Sequence, residues 1–360
     1  MKKNEPKHVA AERIIMKAIS QCDVDDKIPG ERIFAKDLGI SYMTARKAVD
    51  KLVEKGVLYR IPKKGTFVAD PKAGTKEKKS IGYFLDNSIK EGLSSPYYSM
   101  IFNALEKEAA KNDYALVYFS DINDANSVKR LKQINGVIVS CFPRIEDMIQ
   151  TINRRVPIIC IDNKSSDKTI PSVTIDNFNA VIEATAYLCS LGHTRIGFIT
   201  GLHDSNVGND RLAGYLGALS NCGIDEDTNL IYRGDYSFET GAEGARHLLS
   251  LDEQPTAIIC ANDTMAIGAK KAIGGMGLTV PADISLVGFD DINVAAQIST
   301  PLTTLAAPVE EIAHHCLALL KSMMDGGDPD NRHISLPAPL VVRDSCAAID
   351  NIKIAASKKK

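Results

Sequence analysis

The 360-residue sequence contains no tryptophan, and aromatic residues make up only 6% of it. It has no apolar run near the roughly 18 residues that a membrane-spanning helix needs. The basic N-terminus is not followed by an apolar stretch, so we predict no signal peptide. The absence of a long apolar run and of a signal peptide predicts a cytoplasmic protein. It argues against a membrane protein or an exported solute receptor.

The eight cysteines stand singly, and the sequence has neither a CxxC pair nor a Cys/His cluster. Disulfide frameworks are typical of small secreted chains, so we interpret these cysteines as reduced residues of a cytosolic protein. His314, His315 and Cys316 are adjacent, but neighbouring helical side chains point about 100° apart and cannot share one ion well. We therefore predict neither a metal ion nor a cofactor.

Charge is distributed unevenly, although the net charge is only −2. Residues 1–80 contain 19 lysines and arginines against 11 aspartates and glutamates, a net charge of +8. The other 280 residues contain 24 against 34, a net charge of −10. A basic N-terminal segment on an acidic body indicates contact with a polyanion. Some of this excess could be solvated tails, but eight of the positive charges lie between residues 36 and 64.

Residues 29–52 predict two short helices separated by Gly39, with Ser41 as the N-cap of the second. Apolar residues would form one stripe on each helix: Ile33, Phe34, Leu38 and Ile40 on the first, and Met43, Ala45, Ala48, Val49 and Leu52 on the second. This is the layout of a helix-turn-helix, whose second helix can enter a major groove. Any small helical pair is the alternative.

A first helix over residues 8–21 precedes this pair, and a β-rich hairpin follows it. The strands, residues 57–61 and 66–68, flank a turn that ends at Gly65. Glycine allows a backbone to approach a phosphate closely. The hairpin is therefore a candidate wing with Lys63 and Lys64 at its tip, although an ordinary exposed hairpin would look the same.

These elements together resemble the GntR family of bacterial winged-helix transcription regulators, over about 60 residues and almost without gaps, from Ile28-Pro29-Gly30-Glu31-Arg32 to Gly65-Thr66-Phe67-Val68. The resemblance implies that Arg32 and Arg46 contact DNA. The predicted DNA-binding set is Arg32, Ser41, Tyr42, Thr44, Arg46, Lys47, Lys63, Lys64 and Gly65. Members of the family often carry arginine where this chain has Tyr42. Tyrosine cannot bind guanine bidentately, so we predict a different base preference there.

Residues 70–79 lack apolar periodicity and are interpreted as a linker. From residue 80 onward, continuous apolar segments alternate with amphipathic helical patterns. The segments predicted as strands include residues 81–85, 136–140, 157–161, 195–200, 257–261 and 284–289. This pattern predicts doubly wound parallel sheets, and its length favours two α/β lobes.

Polar residues follow several of these predicted strands. Asp176, Asn262 and Asp290 each come directly after one, and ligands of open α/β sheets bind beyond the carboxyl ends of strands. Arg211 begins a predicted helix after another strand, and Tyr236 follows a short one. Such a set suits a polyhydroxyl ligand. Helix capping by the aspartates and a surface ion pair of Arg211 are the alternatives.

The segments Ala261-Asn262-Asp263-Thr264-Met265-Ala266 and Val287-Gly288-Phe289-Asp290-Asp291 resemble the effector domain of the LacI/GalR repressors, a domain similar to periplasmic sugar-binding proteins. The match extends over about residues 80–345. The effector-binding residues that it implies are Tyr97, Tyr98, Asp176, Asn179, Arg211, Tyr236, Asn262 and Asp290. The linker lacks the LacI hinge helix, and residues 121–134 are shorter than usual.

The sequence thus predicts an α+β winged helix-turn-helix domain over residues 1–69 and an α/β sensor over residues 80–346, similar overall to the arabinose-repressor type of regulator. The predicted lobes are residues 80–162 with 292–325, and residues 163–290 with the C-terminal strands. Residues 347–360 are predicted as a disordered basic tail.

We predict that the chain is a DNA-binding repressor and a homodimer that binds operator DNA under the control of a small carbohydrate. The alternatives are a nucleobase or another small metabolite as effector. An enzyme that processes sugars is a third possibility, but the sequence has no nucleophile elbow, dinucleotide fingerprint or phosphate loop. Effector identity, operator sequence and the sign of regulation are not encoded in any motif we can identify.

Overall fold

The structure is a computed structural model, and it divides into two compact units, Met1–Lys78 and Lys79–Lys360. The residues that it describes are 7–19, 22–23, 25–61, 64–69, 79–86, 89, 91–119, 133–140, 156–163, 165, 167–203, 205–330 and 332–352. Lys63, the linker to residue 78, most of the 121–134 region and the helix predicted at 145–155 lie outside the described residues.

The first unit is a winged helix-turn-helix, as predicted. Its elements are helices α1 (Lys7–Ile19), α2 (Glu31–Asp37) and α3 (Tyr42–Glu54) and the antiparallel strands β1 (Leu58–Ile61) and β2 (Gly65–Val68). Residues Ala11, Ile15, Phe34, Ala48, Leu52 and Leu58 are among those that form its core. Gly39, in the turn between α2 and α3, has φ +62°, a conformation that favours glycine.

Two residues of the predicted apolar stripes do not enter this core. Ile33 is 53% exposed and Met43 is 67% exposed. On a helix, Met43 lies about 200° from Ala45, which is buried, so the two side chains cannot share a face. Phe34 takes the core position on α2. Met43 therefore lies on the outer face of α3, which is more apolar than the predicted stripe implies.

The second unit contains two mostly parallel sheets, as predicted. One sheet has the order β13-β7-β6-β5-β3-β4, and all its pairings are parallel. Its strands are β3 (Ser80–Leu85), β4 (Ala115–Phe119), β5 (Ile134–Ser140), β6 (Ile158–Ile161), β7 (Ser172–Ile175) and β13 (His333–Leu336). Helices α4 (Pro96–Lys111) and α9 (Val309–Met324) pack against this sheet and against each other in the first lobe.

The other sheet has the order β14-β12-β11-β10-β8-β9, and only β14 is antiparallel. Its strands are β8 (Ile196–Ile199), β9 (Ile231–Tyr232), β10 (Ala257–Cys260), β11 (Ser285–Asp290), β12 (Thr303–Ala306) and β14 (Leu340–Val341). The helices of this second lobe are α5 (Asn177–Ser190), α6 (Asn206–Asn221), α7 (Phe238–Leu248) and α8 (Asp263–Gly275). None of the helices that the structure describes is long and apolar enough to span a membrane.

The lobe boundaries differ from the predicted ones. Strand β7 lies within the predicted second lobe but pairs with β6 in the first. Strand β12 lies within the predicted first lobe but pairs with β11 in the second. Strand β13 returns to the first lobe. The chain therefore crosses between lobes after β7, after β12 and after β13, because parallel neighbours are chosen by tertiary pairing rather than by sequence order.

The predicted C-terminal tail also begins too early. The Ala347 carbonyl oxygen lies 3.0 Å from His193 Nε2, and the Ile349 amide donates to the Leu191 carbonyl at 2.9 Å. Ile352 is only 7% exposed. Residues 347–352 are therefore part of the second lobe.

Candidate DNA-binding and effector-binding sites

The start of α3 is set by the predicted cap. Ser41 Oγ accepts a hydrogen bond from the Thr44 amide at 3.2 Å and lies 2.8 Å from Thr44 Oγ1. This capping leaves Tyr42, Arg46 and Lys47 exposed on the outer face of the helix. Capping residues stabilise a helix terminus by about 1 kcal/mol, so Ser41 and Thr44 have a structural task whether or not they also contact DNA.

Arg46 is part of a charged network on the surface of this unit. Its Nε lies 4.0 Å from Asp50 Oδ2, one turn further along α3. Asp50 Oδ1 also accepts from Arg60 Nη1 at 2.6 Å, and Arg60 Nη2 donates to Glu31 Oε1 at 2.9 Å. Arg60 on β1 is thereby bound to both helices of the helix-turn-helix. No local pattern in the sequence indicates this network, because Glu31 and Arg60 are far apart in the chain.

Other predicted DNA-binding cations are not engaged in this way. Arg32, Lys47 and Lys64 are exposed, and none of the ion pairs among the described residues involves them. Gly65 opens β2 with φ +130°, which favours glycine. Lys47 on α3 and Lys64 just before β2 thus present positive charge that no described residue pairs, which suits a phosphate backbone.

In the second unit, Arg211 is the centre of the candidate effector site. It lies in the second turn of α6, which begins at Asn206, four residues earlier than predicted. Arg211 is only 5% exposed, and its Nε donates to Asn177 Oδ1 at 2.8 Å. Its Nη1 donates to the Ala261 carbonyl oxygen, and its Cζ lies 3.5 Å from the centroid of the Phe289 ring. The alternative interpretation, that Arg211 forms an ion pair on the surface, is therefore wrong.

Asp290 ends β11 beside this arginine. One carboxylate oxygen lies 3.9 Å from Arg211 Nη2, and both side chains are more than nine-tenths buried. No hydrogen bond from the described residues reaches this carboxylate. Asp290 has φ +110° and the next residue, Asp291, has φ +54°, so Asp290 does not cap a helix. Arg343 Nη2 holds Asp291 at 2.6 Å and stabilises this turn.

The first lobe contributes Tyr97 and a residue that the sequence analysis missed, Asp162. Tyr97 Oη donates to Asp162 Oδ1 at 2.9 Å. Asp162 Oδ2 is buried and has no hydrogen-bond partner among the described residues. Asp162 follows β6 directly, so the rule that drew attention to Asp176, Asn262 and Asp290 would have found it had it been applied to every strand.

The charged groups of the two lobes interact electrostatically. Burial raises the pKa of Asp162 to about 6, while the hydrogen bond from Tyr97 and the charge of Arg211 oppose the shift. Burial also raises the pKa of Asp290 well above its ordinary value, and Arg211 again opposes. The pKa of Tyr97 is raised by burial and by the charges of Asp162 and Asp290. Arg211 and Asp290 of the second lobe and Asp162 and Tyr97 of the first are thus close enough for their charges to interact, and we call these four residues the interlobe cluster.

Tyr236 and Asn262 adjoin this cluster in the second lobe. Tyr236 has φ +70°, and its ring lies on Gly201, where an added Cβ would come within 2.0 Å of Tyr236 Cζ. Asn262 caps α8 by accepting from the Met265 amide at 2.8 Å, and its Nδ2 donates to the Tyr236 carbonyl at 3.1 Å. Asn262 therefore both starts a helix and holds the Tyr236 backbone in this conformation.

Three predicted effector residues have other contacts in the structure. Asp176 caps α5: its Oδ1 accepts from the Asn179 amide at 3.2 Å and its Oδ2 from Asn179 Nδ2 at 2.7 Å. Tyr98 is 8% exposed and packs edge-on against Tyr97, with ring centroids 5.1 Å apart. The next residue after Asp176, Asn177, is the one that binds Arg211.

Known proteins match both units. Residues 8–68 match the gntR family of bacterial regulatory proteins, and residues 185–346 match the periplasmic binding protein-like domain. The chain is 34% identical to the HTH-type transcriptional repressor CytR of Escherichia coli strain K12, over 72% of this chain and 79% of that one. It is 28% identical to the ribose operon repressor of Haemophilus influenzae, over 75% and 82%.

A solved structure extends this similarity. A regulatory protein of the LacI family from Chloroflexus aggregans is 31% identical, with a TM-score of 0.66, over 74% of this chain and 98% of that one. The fold and these similarities define a DNA-binding transcriptional regulator with a two-lobed sensor. The chain belongs to the LacI family of transcriptional regulators, and its DNA-binding domain is of the gntR family.

Proposed function

We propose that this chain is a homodimeric repressor that acts in the cytoplasm and whose affinity for operator DNA is controlled by a small carbohydrate bound at the interlobe cluster. The observation that carries this proposal is the burial of Arg211 with Asp290 in one lobe and of Tyr97 with Asp162 in the other, near enough for their charges to interact and with hydrogen-bonding capacity left over on both carboxylates. Burial of a carboxylate oxygen that accepts no hydrogen bond costs free energy. A ligand hydroxyl group can donate the missing hydrogen bond.

The chemistry of the cluster supports a polyhydroxyl ligand. Asp162 Oδ2 and Asp290 can accept from hydroxyl groups, and the guanidinium of Arg211 can donate to them. The rings of Tyr97 and Tyr236 can cover C–H surface, as aromatic side chains do in ligand sites. One of the chain's relatives is named as a ribose operon repressor, which agrees with a sugar. Asn262 is included among the proposed contacts, whereas Asp176, Asn179 and Tyr98 are proposed as supporting residues.

Control of DNA binding follows from the two-lobed sensor. A ligand that contacts Asp162 on one lobe and Asp290 on the other favours the closed arrangement of the lobes. In a dimer, closure changes the separation of two DNA-binding domains, which must match half-sites set by the helical repeat of DNA. A coupling of about 1–3 kcal/mol would change operator affinity roughly 5- to 150-fold.

A thermal-shift screen of the full chain tests the effector. Pentoses, hexoses, disaccharides, nucleosides and purine bases are compared, because a ligand at 100 times its Kd stabilises the folded chain by about 2.7 kcal/mol. We expect a sugar to raise the Tm of the wild type and to leave that of Asp162→Asn unchanged. If only a nucleobase raises the Tm, the proposed effector is a nucleobase and not a carbohydrate. If the chain converts a sugar to a product, it is an enzyme and the proposed function is wrong.

DNA binding is tested separately by mobility shift on duplexes that the wild type selects from a random library. Arg46→Ala should weaken binding of the selected duplex without changing the ligand-induced rise in Tm. The matched variant Arg195→Ala, which removes a partly exposed arginine of the second lobe, should change neither. If Arg46→Ala binds the selected duplex as tightly as the wild type, the assignment of α3 to the major groove is wrong.

A further inference from the structure

A lysine outside the predicted DNA-binding set lies beside the wing. Lys27 forms an isolated antiparallel β-bridge with Phe67 of β2. On either side of it, the Ile28 amide donates to the Thr66 carbonyl at 3.0 Å, and the Val68 amide donates to the Asp26 carbonyl at 2.9 Å. Residues 26–28 thus lie along β2 as a third extended segment of the wing, because β2 pairs with β1 on its other side. The backbone of Lys27 is fixed relative to the wing.

The side chain of Lys27 extends to the tip of the wing. A Cβ added to Gly65 would lie 2.7 Å from Lys27 Cε and 3.5 Å from its Nζ. The methylene chain therefore covers the glycine, and the ammonium group stands beside the first residue of β2. Lys27 is nevertheless exposed, so its charge is accessible to a partner.

Among the residues that the structure describes, Lys27 also has no counter-charge at ion-pair distance. None of the ion pairs among the described residues involves it, and the same is true of Lys64, the exposed residue that precedes Gly65. Other cations of this unit are paired: Arg60 with Asp50 and Glu31, and Lys55 with Glu12. An ammonium group that is held in place but not neutralised is suited to a phosphate.

We propose that Lys27 binds a DNA backbone phosphate beside the wing tip, while its methylene chain holds Gly65 in place. This inference rests on the proposed function, because it requires that the wing meets DNA. It adds to the interface a residue that precedes the helix-turn-helix in the sequence and that the hairpin pattern does not indicate. A phosphate contact fixes the position of the wing and carries no sequence preference of its own.

Substitutions in the full chain separate the two roles of Lys27, which are the phosphate contact of its ammonium group and the packing of its methylene chain on Gly65. Lys27→Met keeps most of the side-chain length and removes the charge, and Lys27→Arg keeps the charge. Lys55→Met is the matched control, since it removes one lysine from the same unit but one that is already paired with Glu12. Binding to a fluorescein-labelled 30-bp duplex of mixed sequence is followed by anisotropy between 50 and 300 mM KCl, and repeated with a duplex that the wild type selects.

Loss of one phosphate contact makes the plot of log Kobs against log salt concentration less steep by about 0.9, and weakens binding about eightfold near 100 mM salt. We expect this change for Lys27→Met on both duplexes, and wild-type slopes for Lys27→Arg and Lys55→Met. A wild-type slope for Lys27→Met would overturn the inference, and so would an equal change in Lys55→Met. If the wild type itself selects no duplex and binds neither, the proposed function fails instead.

Discussion

The two candidate sites differ in how far apart their functional residues lie in the chain and in how exposed those residues are to solvent. The DNA-binding candidates lie between residues 27 and 65, on consecutive elements, and most are exposed. The effector candidates are spread from Tyr97 to Asp290, come from both lobes, and include the buried side chains of Asp162, Arg211 and Asp290. A surface that meets a polyanion can be built locally from solvated charges, whereas a site that encloses a small ligand needs several strands to converge.

This difference predicts different consequences of mutation. Removing an exposed charge should change DNA affinity and its salt dependence while leaving the fold intact, since surface ion pairs contribute about 0–1 kcal/mol. Removing one buried charge should change folding itself, because its partner is left without compensation. The variants below are ordered by expected effect, and each tests one side of this contrast.

Arg211→Ala should have the largest effect. It leaves Asp290 buried beside no cation, and breaking a buried pair in this way costs about 3–5 kcal/mol. Urea unfolding at pH 7 measures the loss. Adding Asp290→Asn to the same chain should restore part of it, because the uncompensated charge is then absent. If Arg211→Ala costs no more than Arg195→Ala, whose arginine is partly exposed, then burial of the Arg211–Asp290 pair does not stabilise the fold.

Asp162 should make stability depend on pH. Its folded pKa of about 6 lies above the ordinary value of 3.8, so folding opposes ionisation of this carboxyl. The resulting penalty is absent below pH 3.8, grows as the pH rises, and is complete above pH 6, where it amounts to about 3 kcal/mol. Asp162→Asn should therefore gain stability relative to the wild type as the pH rises from 3.5 to 7. A difference that does not vary with pH would show that Asp162 ionises as easily in the folded chain as in the unfolded one.

Two glycines of the first unit should respond unequally to alanine. Gly39 has φ +62° with nothing within 4 Å of an added Cβ, so Gly39→Ala should cost about 1 kcal/mol from backbone strain alone. Gly65 has φ +130°, and its added Cβ would meet Lys27, so Gly65→Ala should cost about 1–3 kcal/mol and also displace the wing tip. Thermal unfolding and DNA anisotropy compare them. Equal losses in both assays would mean that the Lys27 contact does not hold the tip.

The smallest effect is expected from Asp50→Asn. It frees Arg46, leaves Arg60 paired with Glu31 alone, and removes a negative charge from the outer face of α3, at a cost to stability of less than about 1 kcal/mol. Affinity for a duplex of mixed sequence should rise, and preference for a selected duplex should fall, because Arg46 is no longer oriented. Glu31→Gln is the control, since it contacts Arg60 but not Arg46. A preserved preference in Asp50→Asn would show that Asp50 does not position Arg46.

The sequence supported good predictions wherever neighbours in the chain are also neighbours in space. The cap at Ser41, the hairpin and the order of strands and helices followed from local pattern and turn residues. Three of the mistakes have one physical origin. Lobe membership, the role of residues 347–352 and the network of Asp50, Arg60 and Glu31 depend on contacts between residues that are far apart in the chain. Periodicity carries no information about such contacts.

The amino-acid sequence by itself determined that this chain joins a basic winged helix-turn-helix to a two-lobed α/β sensor, because helical and strand periods and charge blocks are local properties. Only the tertiary structure decided that Asp162 joins Tyr97, that Asn177 rather than Asp176 binds Arg211, and that Lys27 reaches Gly65. These pairings arise from strand order and helix packing, which bring distant side chains within a few ångströms of each other.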